Sequence, residues 1–231
     1  LRKFSREEAL EMARRCGVNK MTFKSMHLPL DSSKEEIKKA VAQCEEKGIE
    51  LYGGGVIYMK NKDQVDQAFK YAKSAKMDMI VGVPNHELLE YVEGKVKDYD
   101  IKLAIHNHGP GDKLYPSAES AYERIKNMDK RMGLCIDIGH TKRINEDPEK
   151  DLKNFFDRVH DVHIKDVTKA AADGKTCIIG RGVIDFESFL KAAGKLGYEG
   201  TLALEYEADA EDPLPGMMES FGYVRGIMAA L

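Results

Sequence analysis

The sequence predicts an α/β protein, and within that class a (β/α)8 barrel whose first strand lies before Leu1. Short apolar, β-branched segments alternate with longer amphipathic segments. The apolar segments begin about 30 residues apart, which is the spacing of a βα unit in a parallel sheet. The predicted strands cover residues 19–25, 49–56, 77–83, 102–108, 133–139, 159–166 and 201–207. No linker rich in Pro, Gly or Ser divides the chain, so residues 1–231 are expected to form a single domain.

Seven strands leave two architectures open, a doubly wound open sheet and a barrel that lacks one strand. The chain enters a predicted helix near Ser5 with no strand before it. Its 231 residues also fall slightly short of the ~250 residues of a typical (β/α)8 barrel. Both observations favour the barrel, with an eighth strand expected before Leu1.

The segments between the strands carry helix start and stop signals. Ser5 with Glu8, and Ser33 with Glu36, have the spacing of capping boxes, in which a hydroxyl and a carboxylate satisfy free amides at a helix start. Asp147-Pro148 predicts an N-cap followed by proline at the first helical position. Helices are expected to end at three glycines, Gly17, Gly48 and Gly197.

Composition and charge exclude several classes of protein. The chain is 42% hydrophobic and 32% charged, with a net charge of -3, which is typical of a globular protein and atypical of one that coats nucleic acid or an anionic membrane. No apolar run is long enough to span a bilayer. The four cysteines lack zinc-ligand spacing and are expected to be reduced thiols. A cytoplasmic location is expected, or a periplasmic one if a leader preceded Leu1, since the chain does not begin with Met.

Ionisable side chains occur near the carboxyl ends of the last four predicted strands, where buried parallel strands are usually apolar. They are His106, His108, Asp137, His140, His163, Lys165, Glu205 and Glu207. Barrel active sites lie at this end of the strands, and imidazole with carboxylate is a ligand set for a divalent cation. The sequence therefore predicts a metal site here.

We expect four of these residues to bind the metal: His106, Asp137, His163 and Glu205. We expect His108, His140, Lys165 and Glu207 to face the substrate, although each alone fits a structural role equally well. Arg181 stands between two glycines and is a further candidate for substrate contact. The run Gly53-Gly54-Gly55 lacks the spacing of a nucleotide-binding loop and favours a turn.

Five segments resemble the sugar phosphate isomerase/epimerase family of the xylose isomerase-like TIM barrels: LAIHNHGP, GLCIDIGHT, RVHDVHIKDV, GRGVIDFESFL and GYEGTLALEYE. The resemblance implies a TIM barrel with a divalent metal. The ligand types suit manganese, which we expect first, and also zinc, magnesium, cobalt or iron. Asp137, His163 and Glu205 match three of the family's ligand positions, whereas His106 stands where the family has a glutamate.

The resemblance implies an isomerase or epimerase of a sugar or sugar derivative. Glu205, or alternatively Glu207, would remove a proton next to a carbonyl, giving a metal-stabilised enediolate. His140 or Lys165 would contact substrate oxygens and return the proton. Since epimerases of the family use two metal-bound carboxylates, His106 favours an alternative, a metal-dependent lyase or dehydratase acting on a keto-sugar or 3-keto-glycoside.

Two other hypotheses for the function remain. An apurinic endonuclease of the same superfamily would use three metals, but this chain has fewer suitably placed ligands and no basic excess. A non-enzymatic barrel would bind a sugar without turnover. The expected partner is a small carbohydrate, with no nucleic acid and no membrane, and homo-oligomers are left open.

Overall fold

A computed structural model describes every residue from Leu1 to Leu231. The chain comprises two compact units. Unit 1 contains Leu1–Ile105 and Asn127–Gly133, and unit 2 contains His106–Lys126 and Leu134–Leu231. The formation of a single domain by residues 1–231 stays a prediction.

Strands and helices alternate along the chain. The helices are α1 (Arg6–Arg15), α2 (Lys34–Glu46), α3 (Lys62–Ser74), α4 (Leu89–Tyr99), α5 (Ala118–Ile125), α6 (Ile138–Arg143), α7 (Pro148–Phe155), α8 (Phe186–Leu196) and α9 (Leu214–Ala230). The strands are β1 (Lys20–Phe23), β2 (Glu50–Met59), β3 (Met79–Pro84), β4 (Lys102–His106), β5 (Met132–Asp137), β6 (Val159–Ile164), β7 (Asp166–Val167), β8 (Thr176–Cys177) and β9 (Thr201–Leu204). All seven predicted strands are present, which confirms the α/β class. No strand precedes α1.

In unit 1, β1, β2, β3 and β4 pair side by side in parallel, in the order of the chain. Parallel neighbours joined by helices are the expected βα arrangement. β3 is buried along its whole length, as a strand covered on both faces should be. The core of this unit is apolar and includes Leu10, Phe23, Met59, Phe69 and Ile80.

In unit 2, β5 pairs with β6 and β6 pairs with β9, again in parallel. β5 is fully buried. The unpredicted strands β7 and β8 form a short antiparallel hairpin directly after β6. The strand order brings the carboxyl ends of β5, β6 and β9 together at one edge of the unit, which positions the site described below.

The helix signals hold with one exception. Ser5 and Glu8 form the capping box at α1, and Asp147 caps α7 ahead of Pro148. The three predicted glycine stops all adopt positive φ angles of 65° to 69°. At α2, Ser33 accepts the backbone N–H of Glu36, but the box is incomplete.

The missing half of that box has a simple cause. The carboxylate of Glu36 accepts a hydrogen bond from Nη2 of Arg6 at 2.7 Å instead of returning to the backbone of Ser33. A guanidinium is a stronger partner for a carboxylate than a neutral amide. The ion pair therefore replaces the local cap.

The prediction of a turn at Gly53-Gly54-Gly55 is wrong, because this run lies inside β2. A Cβ atom on Gly55 would come within 2.6 Å of both the Cβ and the carbonyl oxygen of Val81 in β3. Glycine is needed here for close approach of two backbones.

No helix reaches the combination of length and apolar character that crossing a bilayer requires.

Candidate metal centre and active site

The four predicted metal ligands converge within unit 2 because the ends of its strands are aligned. His106 ends β4, and Asp137 ends β5. Asp137 pairs in register with His163 of β6, and His163 with Ala203 of β9. Glu205 follows β9 directly, two residues after Ala203, so its side chain points to the same face.

The distances among these side chains are short. Nε2 of His106 lies 3.3 Å from Oδ2 of Asp137 and 3.8 Å from Oε2 of Glu205. Nδ1 of His163 lies 3.4 Å from the same Glu205 oxygen. One ligand atom from each of the four residues lies within 4.8 Å of all the others. This set of two imidazoles and two carboxylates suits a divalent cation such as manganese, zinc or iron.

Buried polar atoms without a hydrogen bond support that fit. Both ring nitrogens of His106, Oδ2 of Asp137 and Nδ1 of His163 are buried and make no hydrogen bond, although Oδ2 of Asp137 lies 3.0 Å from Nζ of Lys165. Such atoms are rare in proteins, and a bound ion or water is a common explanation for them. The donor set and these atoms therefore fit a bound metal.

A second set, His106, Cys135 and His163, fits less well. The Cys135 thiol is fully buried, and its Sγ donates to Oδ2 of Asp161 at 3.8 Å. Burial, with the nearby carboxylate of Asp161, raises the pKa of Cys135 well above its ordinary value. Since the thiolate is the ligand form, this cysteine is a poor metal ligand.

The protonation states suit metal binding at two ligands and oppose it at a third. Burial lowers the pKa of His106 to about 3, which keeps its ring neutral. Burial opposes ionisation of Asp137, but the nearby charge of Lys165 outweighs it and lowers the pKa of Asp137. Burial also opposes charging of His163, but the Glu205 carboxylate outweighs it and raises the pKa of His163. A proton therefore competes with the metal at His163.

Lys165 is the one buried cation beside the four donors. Its side chain is 2% exposed, and its Nζ lies 2.8 Å from Oε2 of Glu205, 3.0 Å from Oδ2 of Asp137 and 3.2 Å from Oε2 of Glu207. Burial opposes the charge, but these carboxylates outweigh it and raise the pKa of Lys165. The cluster thus contains a charged ammonium that is held by three carboxylates.

The structure also places the other predicted residues near this cluster. The rings of His108 and His106 lie 4.5 Å apart between centroids. Nε2 of His140 lies 3.9 Å from Oδ2 of Asp137, and its backbone N–H donates to Oδ1 of Asp137 at 2.8 Å. Glu207 is exposed and reaches the cluster through Lys165. Their roles stay predictions.

Arg181 lies on a loop that Asp166 holds. The buried carboxylate of Asp166 accepts four backbone N–H groups, those of Val167, Gly180, Gly182 and Ile184. This anchors the glycine-flanked segment to the residue that follows Lys165. The Arg181 guanidinium itself is exposed and makes two hydrogen bonds to Glu219. A substrate contact by Arg181 would require it to leave this partner.

Sequence reasoning missed a buried polar network beneath the site. The side chain of Asn107 accepts the backbone N–H of Asp137 at 2.8 Å and lies 3.3 Å from both the carbonyl oxygen of Asp137 and Oγ1 of Thr141. Thr141 in turn donates to Asp151 at 3.1 Å. The available signal for Asn107 was an amide that shares a strand face with the apolar residues Leu103 and Ile105. The partner Asp151 lies on α7, and no local pattern indicated it.

Comparison with known proteins gives the family. Residues 10–227 match the xylose isomerase-like TIM barrel family. A curated relative, the inosose dehydratase of Lacticaseibacillus casei, is 27% identical over 138 residues, which cover 52% of this chain and 45% of that protein. The chain therefore spans about half the length of the curated relatives it matches.

Solved structures show the same fold over nearly the whole chain. D-psicose 3-epimerase from Clostridium cellulolyticum H10 superposes with a TM-score of 0.78 at 14% identity, covering 96% of this chain and 93% of that one. The 3-keto-D-glucoside 4-epimerase of E. coli gives a TM-score of 0.76 at 14% identity, covering 96% and 94%. These likenesses confirm the predicted (β/α)8 class. With 218 of its residues matched, the chain belongs to the xylose isomerase-like TIM barrel family.

Proposed function

We propose that this protein is a metal-dependent isomerase or epimerase that removes a proton next to the carbonyl of a sugar or sugar derivative. One observation carries the proposal: the Glu205 carboxylate belongs to a set of four possible metal ligands and also lies 2.8 Å from the Lys165 ammonium. A base, a cation site and a hydrogen-bond donor within one small volume are what enolisation of a carbonyl compound needs.

The metal would be held by His106, Asp137, His163 and Glu205. Bound there, it would supply positive charge next to the carbonyl oxygen. Manganese is proposed first because carboxylates suit this ion, and zinc, magnesium, cobalt and iron are the alternatives.

Glu205 takes the proton from the carbon next to the carbonyl, and the C–H electron pair moves toward the carbonyl oxygen to give an enediolate. Lys165 donates hydrogen bonds to the oxygen on which negative charge develops. Return of the proton from Glu205 to the neighbouring carbon gives an isomer. For an epimer, Lys165 protonates the same carbon on its other face, and the proton held by Glu205 then passes to Lys165. His140 and Glu207 are placed to contact the remaining substrate oxygens.

The charge balance of the cluster favours an unphosphorylated substrate. Lys165 is surrounded by three carboxylates, and Arg181 is paired with Glu219. A phosphate would bring further negative charge next to the carboxylates of Asp137, Glu205 and Glu207, which one ammonium only partly balances. We therefore propose that the substrate is a neutral keto-sugar or keto-polyol.

The second candidate is elimination of water from the same enediolate. His106 favours it, because the imidazole at this position cannot act as the second carboxylate of a two-carboxylate epimerase. The enediolate electron pair would expel a hydroxyl group from the next carbon, and an acid such as the Lys165 ammonium would supply the proton that completes the water. Similarity to an inosose dehydratase supports this candidate.

Solvent proton exchange tests the step shared by both candidates. The manganese-loaded protein would be incubated in deuterium oxide with an inosose, D-psicose and a 3-keto-D-glucoside, and deuterium uptake followed by mass spectrometry. We expect exchange with the wild type, and its loss in Glu205→Gln, where the base is removed. Glu199→Gln, an exposed glutamate of the same unit, is the matched control and should retain exchange.

The product separates the two candidates. A deuterated product of the same composition supports isomerisation or epimerisation, and a product that has lost one water supports elimination. Full exchange in Glu205→Gln would contradict the assignment of the base. Tight ligand binding without any exchange, at full metal occupancy, would contradict the enzymatic proposal.

A further inference from the structure

One ring nitrogen of His140 faces the site, and the other ring nitrogen contacts Arg143. Its Nε2 is the atom that lies 3.9 Å from Oδ2 of Asp137. Its Nδ1 lies 3.3 Å from Nη1 of Arg143, in hydrogen-bond geometry. The two residues are three positions apart on α6, so their side chains lie on the same face of this helix.

The Arg143 side chain is held from both ends. It leaves α6, and its Nη2 donates to the carbonyl oxygen of Ala172 at 2.6 Å. Ala172 belongs to the loop of the β7–β8 hairpin, whose base is closed by Thr168 and Lys175. The guanidinium is therefore fixed against Nδ1 of His140 and is not a freely moving surface group.

A guanidinium has only donors and stays protonated at all relevant pH values. Nδ1 of His140 must therefore act as the acceptor in this contact, which requires its lone pair. In a neutral imidazole, one nitrogen accepts and the other carries the proton, and the hydrogen bond to one nitrogen sets which form is present. With Nδ1 accepting, the proton is on Nε2.

We propose that Arg143 orients His140 by donating a hydrogen bond to its Nδ1, so that Nε2 carries the proton and donates a hydrogen bond to a substrate oxygen. Arg143 is thus a positioning residue that acts through His140. The tautomer is inferred from the contact between Arg143 and Nδ1 of His140, whereas its role toward a substrate rests on the proposed function.

In the proposed reaction, His140 orients the substrate and other side chains transfer the protons. The Nδ1 lone pair is engaged by Arg143, so His140 has no free site to accept a proton. Its neutral Nε2–H is a good hydrogen-bond donor but a poor acid. Proton transfer is left to Glu205, Glu207 and Lys165, while His140 orients a hydroxyl or carbonyl oxygen.

The tautomer can be measured without any substrate. In the metal-free protein labelled with 15N-histidine, the ring signals of His140 are assigned by their disappearance in His140→Gln. We expect the wild type to show a protonated Nε2 and an accepting Nδ1. Arg143→Met should give a mixture of both tautomers, Arg143→Lys should restore the wild-type form through its ammonium, and Lys142→Met controls for loss of one positive charge on the same helix.

Kinetics then test the role. Gln carries an amide N–H near the position of Nε2, so His140→Gln should retain kcat/KM within about tenfold of the wild type, whereas His140→Phe removes the donor and should lose substantially more. Arg143→Met should lower kcat/KM by about tenfold, the effect of losing one hydrogen bond, with recovery in Arg143→Lys.

A wild-type spectrum with the proton on Nδ1, or with both nitrogens protonated, would overturn the proposal. So would an Nε2–H signal that is unchanged in Arg143→Met, or a His140→Gln variant as inactive as His140→Phe. If the predicted tautomer is present but no substrate exchanges protons with the wild type, the tautomer assignment is supported and the proposed function fails.

Discussion

Nζ of Lys165 lies 2.8 Å from Oε2 of Glu205, and both side chains are largely shielded from solvent. The same ammonium contacts Asp137 and Glu207. Three carboxylates around one cation leave an excess of negative charge, and a divalent metal held by two of those carboxylates would reduce it. The ammonium and the metal therefore act on the same charges, and their effects on stability should be linked.

Replacing Lys165 by Met should reveal that link. In the metal-free protein, Lys165→Met leaves buried carboxylates without their cation, and we expect a loss of about 3 kcal/mol in the free energy of unfolding. Added manganese should raise the melting temperature of this variant more than that of the wild type. Urea unfolding and calorimetry with and without manganese measure both effects. Lys195→Met, on an exposed position of α8, is the control, and equal responses to manganese would contradict the linkage.

Gly139 should affect the activity although it has no side-chain functional group. A Cβ atom there would lie 2.2 Å from Cγ and 2.7 Å from Cδ of Lys165, so Gly139→Ala must displace the lysine stem. Since the ammonium end is held by carboxylates, we expect kcat/KM to fall by about 100-fold through misplacement of Nζ. Gly194→Ala on α8 is the control, because nothing lies within 4 Å of its added Cβ atom. Wild-type kinetics in Gly139→Ala would show that the Lys165 position is not critical.

His106→Gln should weaken metal binding. The ring nitrogens of His106 are buried without hydrogen bonds, and loss of a ligand removes one of four donors. We expect the dissociation constant for manganese to rise by more than about tenfold in calorimetric titration. His160→Gln is the matched control, since His160 lies on β6 outside the four-donor cluster. Unchanged affinity in His106→Gln would exclude His106 as a ligand.

Asp151 should make stability depend on pH near neutrality. Burial raises its pKa to about 7 from 3.8, with further contributions from Glu146, Asp147 and Glu119. Because the folded pKa exceeds the unfolded one, the folded state holds this proton more tightly. The resulting stabilisation is full below about pH 4 and is lost as the pH rises through about 7. We expect the contribution lost between pH 5 and 8 to be on the order of 2 kcal/mol.

Asp151→Asn tests this prediction because it removes the titration and keeps an oxygen that can accept from Thr141. Urea unfolding at pH 5 and pH 8 should show a smaller difference in this variant than in the wild type. Asp212→Asn, at an exposed position, changes the net charge equally and should behave as the wild type. An identical pH dependence in Asp151→Asn would assign the effect to other groups.

Local patterns in the sequence predict the order of strands and helices and most of the helix ends. These features depend on short-range physics: a period of two residues in strands, capping side chains three residues from their targets, and glycine at positive φ. The same periodicity placed His106, Asp137, His163 and Glu205 at strand ends on one face, and parallel pairing in register then brings such ends together. The cap at Ser33 failed because a residue distant in the chain, Arg6, competes for Glu36.

The pairing of the polar side chains, in contrast, depends on the folded structure. Arg143 forms hydrogen bonds with His140 and with the β7–β8 loop. Other such pairs are Thr141 with Asp151, Arg181 with Glu219, and Asp166 with Gly182. Several of these contacts join residues far apart in the chain, and no local period encodes them. A hydrogen bond depends on the position of a few atoms to within a fraction of an ångström, and packing of whole elements sets those positions. The residue types of the site could therefore be read from the sequence, whereas the protons they carry and the groups that orient them depend on the folded chain.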